Sequence, residues 1–188
     1  MLLGTNFAFV HIPKCGGGSV RHALRHVSTR EVGEVNPMGQ HATTSHAFHQ
    51  MPRTLDDINT FAIVREPVAW LRSYWDMRMQ EGDLDQDKVL DRIFSPDLYK
   101  FCRAVLDFWP DYPSQLMLRY AHYIPGTFVY RLEYDGVARV CQRLGVRATR
   151  RVNSGKKLRQ SFFSTRVAEE LRHHNKAFRQ LFGYETKT

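Results

Sequence analysis

The run Phe7-Ala-Phe-Val-His-Ile-Pro-Lys-Cys-Gly-Gly-Gly-Ser19 decides how the rest of the chain is read. Residues 7–10 are apolar without alternation, the pattern of a strand buried on both faces. Pro13, Lys14 and three successive glycines follow. After Ser19 the apolar residues fall at Val20, Ala23, Leu24 and Val27, which is helical spacing. The stretch therefore reads as strand, glycine loop, helix. That order aims backbone N–H groups and the positive end of a helix at one point, a ready anion site. Lys14 adds a mobile positive charge at the same place, so the expectation is a phosphate-binding loop.

Working outward, Thr60-Phe-Ala-Ile-Val64 is a second strand, and Arg65-Glu-Pro67 ends it. Pro67 suits a first helical position. Val68, Leu71, Trp75 and Met79 then line one face of a helix to about Met79. Residues 86–108 read as helical with a break at Ser95-Pro96. Thr127–Arg131 is a third strand, and Tyr134, Val137, Val140, Cys141 and Leu144 define a helix stopped by Gly145. A last helix is expected from about Thr165 to Phe182, ending at Gly183. Residues 28–60 are polar and read as irregular, with a short strand near Glu31–Val35. Strands alternating with helices predict an α/β fold, a parallel sheet with helices on both faces. Ligands on such sheets sit at the carboxyl ends of the strands. Lys14 and Arg65 both come just after strands, so they are expected to meet on one edge.

At 188 residues a single domain, 1–188, is the expectation. The hydrophobic fraction of 43% and charged fraction of 24% are those of an ordinary globular chain. No apolar run approaches the roughly 20 residues of a membrane span. The N-terminal residues lack the basic start of a signal peptide. A net charge of +8 and a pI near 9.6 suit a polyanionic partner. The basic residues are scattered, however, and form no run like a nucleic-acid arm, so no nucleic acid is expected. Cys15, Cys102 and Cys141 are an odd, sparse set without metal-like spacing, which points to free thiols and a cytoplasmic setting.

The chemistry is narrowed by residue order. A magnesium-nucleotide loop ends Gly-Lys-Ser/Thr. Here Lys14 precedes the glycines, and no strand ends in the aspartate that would hold magnesium. Cys15 could act as a nucleophile at a helix N-terminus, with Arg21 six residues on, but a phosphatase-type loop is not the expectation. His41, His46 and His49 could suggest a metal, but no cysteine or carboxylate completes the set at recognised spacing. No metal is therefore expected. The three tryptophans, Trp70, Trp75 and Trp109, read as core rather than as platforms for a base.

His11-Ile-Pro-Lys-Cys-Gly-Gly-Gly-Ser19 resembles the loop of the sulfotransferases, especially the bacterial and carbohydrate type that reads much like His-Ile-Pro-Lys-Thr-Gly-Gly-Thr-Ser. Phe61-Ala-Ile-Val-Arg-Glu-Pro67 through Leu71-Arg-Ser-Tyr74 is similar to that family's second signature, with the same spacing from Arg65 to Ser73. Gln40-His-Ala-Thr43, Asn153-Ser154 and Leu181-Phe-Gly-Tyr184 also look like segments common in bacterial members. The match runs through nearly the whole chain in order.

The resemblance implies a P-loop-NTPase-like sulfotransferase fold. It also implies the donor 3′-phosphoadenosine 5′-phosphosulfate (PAPS), leaving as the desulfated nucleotide PAP. The reaction it implies is in-line transfer of a sulfuryl group to an acceptor hydroxyl or amine without a metal. Lys14 would then face the charge that builds on the leaving oxygen. The amides of Cys15, Gly16, Gly17, Gly18 and Ser19, with the Ser19 hydroxyl, would hold the 5′-phosphate. Arg65 and Ser73 would hold the 3′-phosphate, and His41 would be the base, with His46 and His11 as rivals. Family loops usually carry hydroxyl residues where this chain has Cys15 and Gly18, which leaves backbone amides to carry the load. Lys156 and Lys157, in the most cationic stretch, are candidates for contact with phosphate or an anionic acceptor. The acceptor is expected to be a small molecule or carbohydrate. Two other functions fit the same features: a nucleotide- or polyanion-binding module of this fold without turnover, and a small-molecule kinase.

Overall fold

The computed structural model describes residues 1–4, 7–24, 28–31, 59–82, 87–121, 127–147 and 164–184. They belong to two compact units. The first is Met1–Arg65 with Met117–Ser154, and the second is Glu66–Leu116 with Gly155–Thr188.

The first unit holds the sheet. Its strands are β1 (Leu2–Gly4), β2 (Phe7–Val10), β3 (Ser28–Glu31), β4 (Asn59–Val64) and β5 (Phe128–Arg131), in the order β3-β1-β2-β4-β5. The centre is parallel. β2 runs beside β4 from Phe7↔Asn59 to Val10↔Ala62, and β4 runs beside β5 from Phe61↔Phe128 to Val64↔Arg131. β1 is antiparallel to both β2 and β3 and extends the parallel centre at one side. Phe7, Phe9, Val10, Phe61, Ile63 and Val64 are all buried, as their unbroken apolar runs require. Helix α1 (Gly17–Leu24) follows the glycine loop and packs on α6 (Gly136–Arg143), which lies against β4 and β5. The α/β class and the three parallel strands flanked by helices agree with the pattern of the sequence. A strand lies at Ser28–Glu31, and residues 32–35 of the expected early strand lie outside the described residues.

The second unit is helical. Its elements are α2 (Pro67–Glu81), α3 (Lys88–Arg92), α4 (Leu98–Phe108), the first half of α5 (Tyr112–Ala121), α7 (Thr165–His174) and α8 (Lys176–Leu181). Pro67 opens α2, and the Glu66 side chain accepts the Ala69 N–H at 2.8 Å, satisfying one of the helix's first donors. The other Glu66 oxygen lies 3.8 Å from Arg172 Nε and 3.7 Å from Arg179 Nε. Asp87 and Asp97 cap α3 and α4 in the usual carboxylate manner. Trp70 stacks on Tyr74 and Tyr74 on Phe101, so the tryptophan at 70 is core, as is the buried Trp75, whose Nε1 donates to the Ser95 carbonyl.

The single long helix expected at Thr165–Phe182 is two helices. The break is at Asn175, which is buried. Its Nδ2 donates to the carbonyls of Pro110 and Leu171 at 2.9 and 2.7 Å, and its Oδ1 accepts from the Ser114 hydroxyl. A side chain that must satisfy partners off its own helix turns the backbone to do so.

Candidate functional site: the loop between β2 and α1

The loop that leaves β2 turns at once. Ile12 N–H bonds to the Val10 carbonyl, and Cys15 N–H to the Ile12 carbonyl at 3.3 Å. Lys14 sits in the left-handed region with φ 60°, and Gly16 with φ 80°. Gly16 meets this at no steric cost, whereas Lys14 is held there against its preference. Helix α1 then opens on Gly17, with no acidic residue in its first turn. The first N–H groups of a helix have no partner within it. Here those groups belong to Gly17 and Gly18, so the positive end of α1 comes directly after Lys14 and Cys15.

The glycines are required by what lies behind them. A Cβ on Gly17 would fall 1.7 Å from the His11 ring, and one on Gly16 would fall 2.6 Å from Leu132 Cδ1. His11 is 6% exposed and stacks on Phe9, so its imidazole packs under the loop.

Two of the amides assigned to the phosphate are engaged within the protein. The Cys15 N–H is bonded to Ile12, and the Ser19 N–H reaches the Gly16 carbonyl at 3.0 Å. The Cys15 thiol also faces inward. It is buried and directed at Met117 Sδ, 3.7 Å away. Burial pushes this thiol far above the usual range, against the opposing pull of Arg65, which is the reverse of what a nucleophile needs. Of the five loop amides, those of Cys15 and Ser19 are thus engaged within the loop.

Arg65 comes to this loop from the end of β4. Its Nη1 donates to the Lys14 carbonyl at 3.1 Å, and its backbone N–H points at Met117 Sδ from 3.4 Å. Its Nε lies 3.8 Å from Glu133 Oε1. The expected meeting of Lys14 and Arg65 is thus observed at the carboxyl edge of the sheet. Glu133 belongs to a 3-10 turn, Leu132–Tyr134, that continues β5. In the register of the sheet Arg131 stands opposite Val64, so this turn comes alongside Arg65. Leu132 supports Gly16, Glu133 faces Arg65, and Arg131 stacks over the Tyr134 ring at 3.9 Å.

Met117, Leu132 and Glu133 are absent from the sequence reading. Their residue types are ordinary, and only the pairing of β5 with β4 brings them to the loop. Ser73 is half-buried in the second turn of α2, in the other unit. His41 and its rival His46 lie outside the described residues, as do His49, Asn153, Ser154, Lys156 and Lys157. Among the described residues no three His, Cys, Asp or Glu side chains cluster as metal ligands, and no helix is long and apolar enough to cross a membrane.

No protein-family model matches the chain, and no curated protein matches it. A sulfotransferase from Alicyclobacillus acidocaldarius, known from its crystal structure, is similar to it. The identity is 15%, 96% of each chain is covered, and the TM-score is 0.44. A likeness at that TM-score identifies no family, so the residues of the loop have to carry the function.

Proposed function

We propose that the chain is a sulfotransferase, one domain spanning 1–188, that moves a sulfuryl group from PAPS to an acceptor hydroxyl or amine by in-line displacement. The observation that carries this is the 3.1 Å bond from Arg65 to the Lys14 carbonyl. It joins the two sulfotransferase-like motifs through the Lys14 backbone, just ahead of one glycine-led helix. The donor supplies an activated sulfuryl group whose leaving oxygen gains charge. Lys14 would stabilise that charge, since a fixed cation at a developing anion lowers the barrier directly. The Gly17 and Gly18 amides and the Ser19 hydroxyl suit the 5′-phosphate. The planar guanidinium of Arg65, with Ser73, suits the 3′-phosphate. His41 is the base in this proposal, drawing the acceptor proton. The acceptor class is a small molecule or a carbohydrate. Three buried free cysteines suit a reducing setting, here the cytoplasm.

Thermal shift separates this from the other readings. PAP at 100 times its dissociation constant stabilises a binder by about 2.7 kcal/mol. A shift with PAP and not with magnesium ATP is expected, and the reverse result would identify a kinase. Labelled donor offered to a panel of acceptors then separates an enzyme from a binding module. Lys14→Ala should lower turnover by about a hundredfold or more. His41→Ala should lower turnover and leave PAP binding at the wild-type value. Lost binding with intact turnover would remove His41 as the base.

A further inference from the structure

Arg65 is engaged unevenly. Nη1 makes a full hydrogen bond to the Lys14 carbonyl, but Nε is buried without a hydrogen-bond acceptor. The carboxylate facing it, Glu133 Oε1, stands at 3.8 Å, within ion-pair range and beyond hydrogen-bond range. Nε is therefore held near an anion that does not reach it. The Glu133 side chain is 32% exposed and that of Arg65 26%, so both are partly open to solvent. Glu133 is also built into the loop's support, because the preceding Leu132 packs against Gly16.

We propose that Glu133 is a positioning residue that stands in for phosphate on Arg65. In the ligand-free site its charge keeps the guanidinium turned onto the Lys14 carbonyl, which holds Lys14 in its left-handed conformation. When a phosphate arrives, its oxygens close on Nε and the outer face of the fork, a geometry that the distant carboxylate does not achieve, and Glu133 is released toward solvent. The same carboxylate repels the incoming anion, so it orders the site and weakens ligand binding at once. This proposal rests on the donor reading above for the nucleotide, but its physical content concerns any phosphate anion at Arg65.

The test is calorimetric titration of PAP and, separately, inorganic pyrophosphate into the full chain at low salt. The variants are wild type, Glu133→Gln, Glu133→Asp, Arg65→Gln and the Arg65→Gln/Glu133→Gln pair. Glu133→Gln should bind both anions about three- to fivefold more tightly, the size of a half-exposed charge pair. Glu133→Asp should return toward wild type. A residue that only props up the loop would not tighten binding when replaced. In the Arg65→Gln background the gain from Glu133→Gln should shrink to what relief of the carboxylate's repulsion alone supplies. Equal or weaker binding by Glu133→Gln, with an unchanged melting temperature, overturns the proposal, as does a gain that survives Arg65→Gln undiminished. If Arg65→Gln does not fold, the two single substitutions of Glu133 decide alone. Pyrophosphate binding that tightens in Glu133→Gln, but no PAP binding, would retain Glu133 and refute the sulfotransferase reading. PAP binding without that gain would do the opposite. No binding of either anion by any variant refutes both.

Discussion

The Cys15 thiol lies 3.7 Å from the sulfur of Met117, inside the protein and turned away from the surface the loop presents. Family loops that resemble this one usually carry a hydroxyl residue at that position, and the chain's cysteine looks at first like a lost phosphate contact. The direction of the side chain gives it a different role, which is to pack the loop onto Met117, the same sulfur that the Arg65 N–H faces.

Cys15→Ser should therefore gain no affinity for PAP. The new hydroxyl would be buried against a thioether, a weak acceptor, and the fold should lose about 1–3 kcal/mol. Urea unfolding and a PAP titration check the two halves separately. Tighter binding by the serine variant would show that the side chain reaches the ligand after all.

Gly17→Ala tests the packing of the loop on His11. An added methyl would fall 1.7 Å from the imidazole, and overpacking of this kind costs about 1–3 kcal/mol. The fold should soften and anion binding should fall with it. Adding His11→Ala should restore much of the lost stability, because the obstructing ring is gone. A Gly17→Ala protein with an unchanged melting curve would mean the ring moves aside freely.

High pH should unfold this protein early. Burial raises the thiols of Cys15, Cys102 and Cys141 above their ordinary value of 9.0, that of Cys102 to about 12. Below pH 9 both states keep these protons, and the contribution to stability is fully present. Above pH 9 the unfolded chain releases protons that the folded chain retains, so stability falls as pH rises toward 12. In that window Cys102 contributes a slope approaching about 1.4 kcal/mol per pH unit. Denaturant unfolding at pH 8, 9.5 and 10.5 should show the decline, and Cys102→Ala should make it shallower. A flat profile would contradict it.

Asn175→Ala should be costly without touching ligand binding. It strands the buried Ser114 hydroxyl and the carbonyl of Pro110, at about 1–3 kcal/mol for each buried group left unpaired. Asn175→Asp should be only a partial substitute, since it keeps the acceptor for Ser114 and loses the donor for Pro110. Equal stability of the alanine variant, measured by urea, would show that water replaces both bonds.

The site was legible in the sequence where chemistry is local. Phe7–Val10 and its glycines announce a strand, a turn and a helix start, and Pro67 marks where α2 begins. The meeting of Lys14 with Arg65 follows from two strand ends and the parallel rule. What escaped is set at long range. α5 opens Tyr112-Pro-Ser, a start that reads as a turn, and its helix is not announced by the local sequence. The apolar spacing of 165–182 continues across Asn175, and only partners on another element reveal the break. Leu132 and Glu133 look like any turn after a strand until β5 is placed beside β4.

That placement also governs when the loop is finished during synthesis. The first unit is assembled from two stretches of chain, with Glu66–Leu116 emerging between them. Lys14 is made before Met117, Leu132 and Glu133, which pack and polarise its surroundings and leave the ribosome about a hundred residues later. The glycine loop is thus the earliest part of the site to be translated and among the last to be shaped. A nascent chain that stops short of β5 carries the phosphate-like motif with no support behind Gly16 and no counter-charge for Arg65. Contacts between residues so far apart in sequence also slow folding. The loop therefore acquires its support only once β5 and the turn after it have been made.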